Sequence, residues 1–174
     1  MSLAEFIHST VKNGKQITLL KNDFLKLGGT TDTNIYFVEN GSLCVFVMDE
    51  DEEQIIRFGY NNDLIVSLDS FLTEQASDFY IQAIKKSKIR VIPKQQFIDL
   101  VNESSENQQM WISMLEDLVL QQIEREKDIL TTSPKERYNR VMKRSPQLFQ
   151  EIPNKYIANY LRMTPETLSR LKKS

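Results

Sequence analysis

Between residues 16 and 92 the apolar positions come in short bursts separated by polar turns. The bursts QITLL, IYFV, LCVFVM, QIIRF, LIVSL, FYIQAI and KIRVI are rich in β-branched and aromatic side chains, as strands are. Between them stand LGGTTDTN, ENGS, DEDEE, GYNND and KKSK, and the Asn40–Gly41 pair predicts a hairpin because both residues tolerate positive φ. Short strands at this spacing predict an antiparallel roll, barrel or sandwich, and the absence of helix–strand alternation excludes a doubly wound sheet.

The period changes at Pro93. PKQQFIDLVN predicts a short helix with Pro at its first position. A long helix follows, over about 108–130, whose first half, MWISMLEDLVL, is apolar nearly all round. Trp111, Met114, Leu115 and Leu118 make one stripe; Ile112, Val119 and Ile123 make the next. A helix with two apolar faces either lies in a monomer's core or covers its own barrel with one face and a partner with the other. Next, TTSPKERYNRVMKRSP predicts a helix capped by Ser133, opened by Pro134 and carrying Glu136 at the capping-box position.

Charge adds a division of labour. The chain carries a net −2, but residues 134–174 hold ten Lys and Arg against three acids, a charge of +7, which leaves −9 on residues 1–133. A basic terminal module on an acidic body fits an anionic partner, and a solvated basic surface accounts for it equally well. One cysteine, Cys44, fits a reducing cytoplasm, and MSLAEFIHSTVKNGK lacks the apolar centre of a signal peptide. No apolar run is long enough for a membrane span. The one His, His8, and the one Cys, Cys44, lie far apart in sequence, the DEDEE run lacks the spacing of a calcium loop, and no acid–base or nucleophile constellation assembles. The expectation is therefore a protein that is not an enzyme, with no cofactor and no metal.

The last residues, IPNKYIANYLRMTPETLSRLKKS, resolve into helix, turn and helix. Asn154 and Thr164 are the candidate caps. Ile157, Leu161, Leu168 and Leu171 fall where the helices meet, Ala158 where they cross and Met163 in the turn. Arg162 stands where a glycine is common, so a left-handed backbone there carries some cost. A second helix of this kind can enter the major groove of DNA: Glu166 can accept from cytosine N4, and Arg170, on the same face, can fork onto guanine. A surface Glu166–Arg170 pair on a plain helical hairpin is the bland alternative.

YIANYLRMTPETLSRL, with Glu166, Thr167, Ser169 and Arg170 in an E-T-x-S-R pattern, resembles the cyclic-AMP receptor/Fnr family of bacterial transcription regulators. GYNNDLIVSLDSF and FYIQAIKKSKIRVIPKQQF are similar to its sensor domain. The resemblance implies an α+β fold: an N-terminal antiparallel, jelly-roll-like β-roll, a long dimerisation helix and a C-terminal helix-turn-helix. It divides the chain at 131/132, into a sensor with its long helix (1–131) and a DNA-binding domain (132–174). It implies a homodimer with Trp111, Leu115, Leu118, Val119 and Gln122 at the interface. Thr164, Pro165, Glu166, Thr167, Ser169, Arg170, Lys172 and Lys173 would then meet double-stranded DNA at a palindromic operator. RNA polymerase and a small-molecule effector are further partners it implies. Three departures stand out. The phosphate-binding cassette is degenerate, with Tyr60 instead of Glu after Gly59 and with Gln75, Ala76 and Ser77 coming without an Arg; SPQLFQEIPN is too short for a β-wing; and Pro165 stands where many members have Arg, so one base or phosphate contact is missing. Cyclic AMP is therefore not the expected effector. The rival is a ligand-binding or interaction module whose last helices dock on protein, pairing their basic residues with acids of the body.

Overall fold

A computed structural model describes residues 14–173. It divides into two compact units, Met1–Ile112 and Ser113–Ser174. In chain order the elements are β1 (Lys15–Leu19), β2 (Phe24–Lys26), β3 (Ile35–Asn40), β4 (Ser42–Asp49), β5 (Glu52–Tyr60), β6 (Leu64–Val66), α1 (Leu68–Thr73), β7 (Tyr80–Ala83), β8 (Ser87–Ile92), α2 (Lys94–Asn102), α3 (Ser105–Leu130), α4 (Pro134–Arg144), α5 (Leu148–Glu151), α6 (Asn154–Tyr160) and α7 (Pro165–Lys173).

In the first unit the strands form two four-stranded antiparallel sheets, β1-β8-β3-β6 and β2-β7-β4-β5. The expected antiparallel roll is present. Strand alternation then sorts the core into two layers. Tyr36 and Val38 join Leu43, Val45, Ile65, Ile81, Ala83 and Ile89 in one cluster. Ile35 and Phe37 point the other way and pack with Ile92 beneath Phe71, Phe97 and Val101 of the helices. Both faces of β3 are therefore covered, which is why IYFV carries no exposed position.

Three local expectations change. The Asn40–Gly41 pair is a corner between sheets, not a hairpin, because β3 and β4 belong to different sheets. Only Gly41 takes a positive φ (109°), and a Cβ there would lie 2.2 Å from the Ser87 hydroxyl. The tight hairpin is instead β4–β5, which turns at Glu50 and Asp51 within the acidic run. LIVSL is strand only to Val66; Leu68 already lies in α1. Finally, Pro93 occupies the cap position of α2, one residue before its first turn.

In the second unit, the far half of the 26-residue α3 packs with α4–α7. The units part within α3; the sequence placed the division near residues 130–133, inside that helix or just after it. Charge at the far end of the helix accounts for this. Asp128, with no exposed surface, accepts from Arg140 Nε at 3.0 Å and from Arg144. Glu124 takes Arg140 Nη2 at 3.0 Å, so two turns of α3 are stapled to α4. Arg125 lies over the Tyr160 ring at 3.7 Å, a cation–π contact that ties the same end of α3 to α6. Burial lowers the Arg125 pKa from its ordinary value.

Candidate functional site

Ser133 caps α4 as the sequence predicts, accepting from the Glu136 N–H at 3.3 Å with Pro134 in the first turn. Pro146 follows the end of α4, and the short connector folds into α5, with no strand among residues 145–154. That segment seals the base of the unit through Leu148 and Ile152, both buried, and Phe149 meets Tyr138 edge to face.

Helices α6 and α7 then form the helix-turn-helix. Ile157, Ala158, Leu161 and Leu168 are buried together and Leu171 is half-buried. Thr164 caps α7, accepting from the Thr167 N–H at 3.2 Å, and the Met163 N–H closes the turn on the Ala158 carbonyl at 3.0 Å. Arg162 takes φ 54°, the left-handed conformation that its place in the turn foretold. Asn154 differs from expectation: Pro153 holds the cap position of α6 and makes no side-chain cap bond. Asn154 instead accepts from Lys172, whose ammonium also lies over the Phe149 ring at 5.6 Å.

With Leu168 sealed inward, the other face of α7 is outward. Thr164, Pro165, Glu166, Ser169, Arg170, Lys172 and Lys173 are exposed and Thr167 is half-exposed. Glu166, Ser169, Arg170 and Lys173 recur at helical spacing and share one stripe. Arg170 reaches only the Thr167 hydroxyl, at 3.4 Å, and forms no pair with Glu166 among the described residues. Its guanidinium is held along the stripe and keeps most of its donors. Lys172 is the member drawn aside, onto Asn154.

The residue that sequence reasoning missed is Arg137. It is 8% exposed, and its guanidinium donates to the carbonyls of Leu161 (2.8 Å), Arg162 (2.9 Å) and Thr132 (3.1 Å), and to that of Thr131. No sequence signal singled it out, because α4 also carries Arg140 and Arg144 and its carbonyl partners have no side-chain pattern.

Of the residues expected at a dimer seam, Trp111 is half-buried in its own unit. It packs edge to face on Phe97 (5.1 Å) and Phe71 (6.2 Å) within its own roll. Leu115 and Leu118 are half-buried, and Gln122 is exposed. Over residues 108–123 of α3 the most open apolar positions are Leu120 at 61% and Val119 at 59%, with Ile112 and Ile123 also exposed. Ile112, Val119 and Ile123 are the second stripe of the sequence pattern, which carries more free apolar surface than the first; Leu120 stands beside it.

Around Ser77 and the start of α1 the roll carries its own polar network. Lys26, 4% exposed, donates to the carbonyls of Phe79 (2.8 Å), Ser77 (2.9 Å) and Leu27 (3.1 Å). Burial lowers its pKa against the pull of Asp69, Asp32 and Asp78. At the start of α1, Asp69 accepts from the Ser67 hydroxyl and the Ser70 N–H. Burial pushes this carboxyl up, but hydrogen bonds from Ser77, Ser70 and Ser67 bring it below its ordinary value. Gly59 is required by packing: a Cβ would lie 2.3 Å from Ile65. An open groove of about 450 Å³ runs along β2, lined by Phe24, Leu27, Thr30, Thr31 and Asp32 among others. Asp32 accepts from the Tyr36 hydroxyl at 2.6 Å. Burial first, and then that bond, raise the Tyr36 pKa. His8 lies outside the described residues. Among the described helices none is long and apolar enough to cross a membrane.

Comparison with known proteins places this geometry. The family model for the cyclic nucleotide-binding domain matches residues 16–104. No curated protein sequence matches the chain. Among solved structures, the chain is similar to a double mutant of CooA from Carboxydothermus hydrogenoformans, with a TM-score of 0.75 at 17% identity over 99% of this chain and 83% of that one. It is similar to FixK2 from Bradyrhizobium japonicum, with 0.76 at 13% identity over 92% and 83%. The catabolite activator protein of Thermus thermophilus gives 0.59 at 17% identity over 97% and 81%. The chain thus belongs to the cyclic nucleotide-binding domain family and has the fold of the Crp/Fnr-type regulators.

Proposed function

We propose that this protein is a homodimeric, sequence-specific DNA-binding transcription regulator. The observation that carries the reading is the outward stripe of α7: Glu166, Ser169, Arg170 and Lys173 stand in the open while Leu168, on the opposite side, has no exposed surface. A helix presented in this way fits a major groove, with Arg170 on guanine O6 and N7, Glu166 on cytosine N4 and the remaining positions on phosphate. Two-fold pairing through α3 would set two such helices about 34–36 Å apart, one turn of DNA. The rival reading draws support from Arg140 and Arg144, which do pair with acids of the body. Those two arginines hold the unit together, however, and leave the stripe of α7 untouched.

Selection of bound duplexes from a random pool, at stated salt, tests the reading. Arg170→Ala should cost about 1–3 kcal/mol on the selected site and relax preference at one symmetric base pair. Lys173→Ala should instead weaken all sequences alike and lower the salt slope by about one. Identical behaviour of both variants on selected and random DNA would make Arg170 a phosphate contact only. Enrichment of no sequence at all would favour the protein-docking rival.

The effector reading is that the roll does not take a cyclic nucleotide. A buried phosphate needs unpaired donors, and desolvating its charge without them costs several kcal/mol. An ammonium has three N–H groups, and those of Lys26 already have three carbonyl acceptors. Titration calorimetry with cyclic AMP and cyclic GMP should show no uptake at about micromolar concentration. Binding of one nucleotide per subunit would overturn this.

A further inference from the structure

We propose that Arg137 is a positioning residue for the recognition helix, tying the segment that leaves α3 to the turn that aims α7. The proposal rests on the DNA-binding reading above and adds a device to it.

A buried guanidinium is expensive unless its donors are met. Here every acceptor is a main-chain carbonyl, and among the described residues no carboxylate pairs with Arg137. Two acceptors, Thr131 and Thr132, lie directly after α3; the other two, Leu161 and Arg162, close α6 and begin the turn. The planar fork of arginine can hold these two pairs at once, whereas the single ammonium of lysine cannot. Carbonyls at the end of a helix lack partners within it, so these bonds also complete α6. The tie falls on the strained point of the motif: Arg162 sits at φ 54° with no glycine to ease it. Rotation at that residue swings the Thr164 cap and α7 together. Fixing the carbonyl on each side of the Arg162 φ therefore fixes where the stripe of Glu166 and Arg170 points. The guanidinium holds Arg162 in a left-handed conformation that a glycine would adopt without that penalty.

The test uses the full chain and compares Arg137→Gln, Arg162→Gly and the double variant. The readouts are thermal unfolding, the ratio of affinities for the selected site and random duplex at fixed salt, and hydrogen exchange. Arg137→Gln should lower the ratio about tenfold, since base pairing to side chains depends on aim, while random-duplex affinity stays within about twofold. Arg162→Gly alone should leave the ratio unchanged, yet restore most of it in the Arg137→Gln background. Arg137→Lys should fail as Gln does, and Arg137→Gln should speed exchange in residues 131–133 and 161–164. An unchanged ratio in folded Arg137→Gln protein, or a glycine that helps equally in both backgrounds, overturns the proposal. If Arg137→Gln does not fold, Arg137→Lys carries the same comparison. Should wild-type protein show no site preference, the DNA-binding reading fails by itself. The tie is then judged by exchange alone: faster exchange at both segments supports it, and unchanged exchange overturns it.

Discussion

Replacing Asp128 by Ala is expected to melt the helical unit well before the wild-type protein. The side chain has no exposed surface and accepts from both Arg140 and Arg144. Removing it leaves two guanidiniums facing an apolar gap, and breaking a buried ion pair from one side costs about 3–5 kcal/mol. The two arginine side chains are 31% and 29% exposed and can turn partly to water, so the lower end, about 3 kcal/mol, is the expected figure. For a unit of this size that is a large fraction of total stability. Asp128→Asn keeps the volume and one acceptor and should lose about half as much. Circular dichroism against temperature measures both, and a midpoint equal to wild type would show that Glu124 alone holds α4 to α3. Replacing Asp128, Arg140 and Arg144 together by apolar residues should recover much of the loss, because no buried charge is then left unpaired.

The second large effect concerns association. Val119→Glu combined with Ile123→Glu should convert the proposed dimer into a monomer. At a two-fold axis each new charge meets its own copy, so two substitutions place four like charges along one seam. Because Val119 is 59% and Ile123 is 41% exposed in the single chain, the monomer itself should lose little stability. Leu115 and Leu118 are poorer choices, since both are half-buried already and a charge there strains the chain as well as the seam. Operator affinity should fall toward the non-specific level, about three orders of magnitude or more. Sedimentation of an intact dimer would move the interface elsewhere on the surface.

How far could the sequence be read? Where a rule is local, it served. The Ser133–Pro134 start of α4, the Thr164 cap and the burial of Ile157, Leu161 and Leu168 follow from spacing alone. Even the left-handed Arg162 was visible, because a turn imposes its backbone on whatever residue occupies it. Long-range partnerships were not legible. Lys26, Asp128 and Arg137 look like surface charges in a linear reading, yet all three are buried. Each has partners at least 12 residues away and as many as 53, and for Lys26 and Arg137 they are carbonyls, which every residue possesses and no side-chain pattern reveals. Short helices failed for a different reason: α1 and α5 have too few turns to show a period. The Asn40–Gly41 corner shows that a glycine signal marks backbone freedom without saying which strands it joins.

The pairing of β1 with β8 also orders events in time. Lys15 faces Val91 across the ladder, so the first described strand has no neighbour until residues as far as Ile92 have been synthesised. Such non-local closure is slow, on the order of milliseconds to seconds for β-rich domains of similar size. The helical unit closes over shorter loops, and contacts such as α6 on α7 join neighbours in the chain. On release from the ribosome, then, the later-made half has the faster route to its native structure. During that interval β1 is an unpaired edge, the state of the chain most exposed to wrong partners.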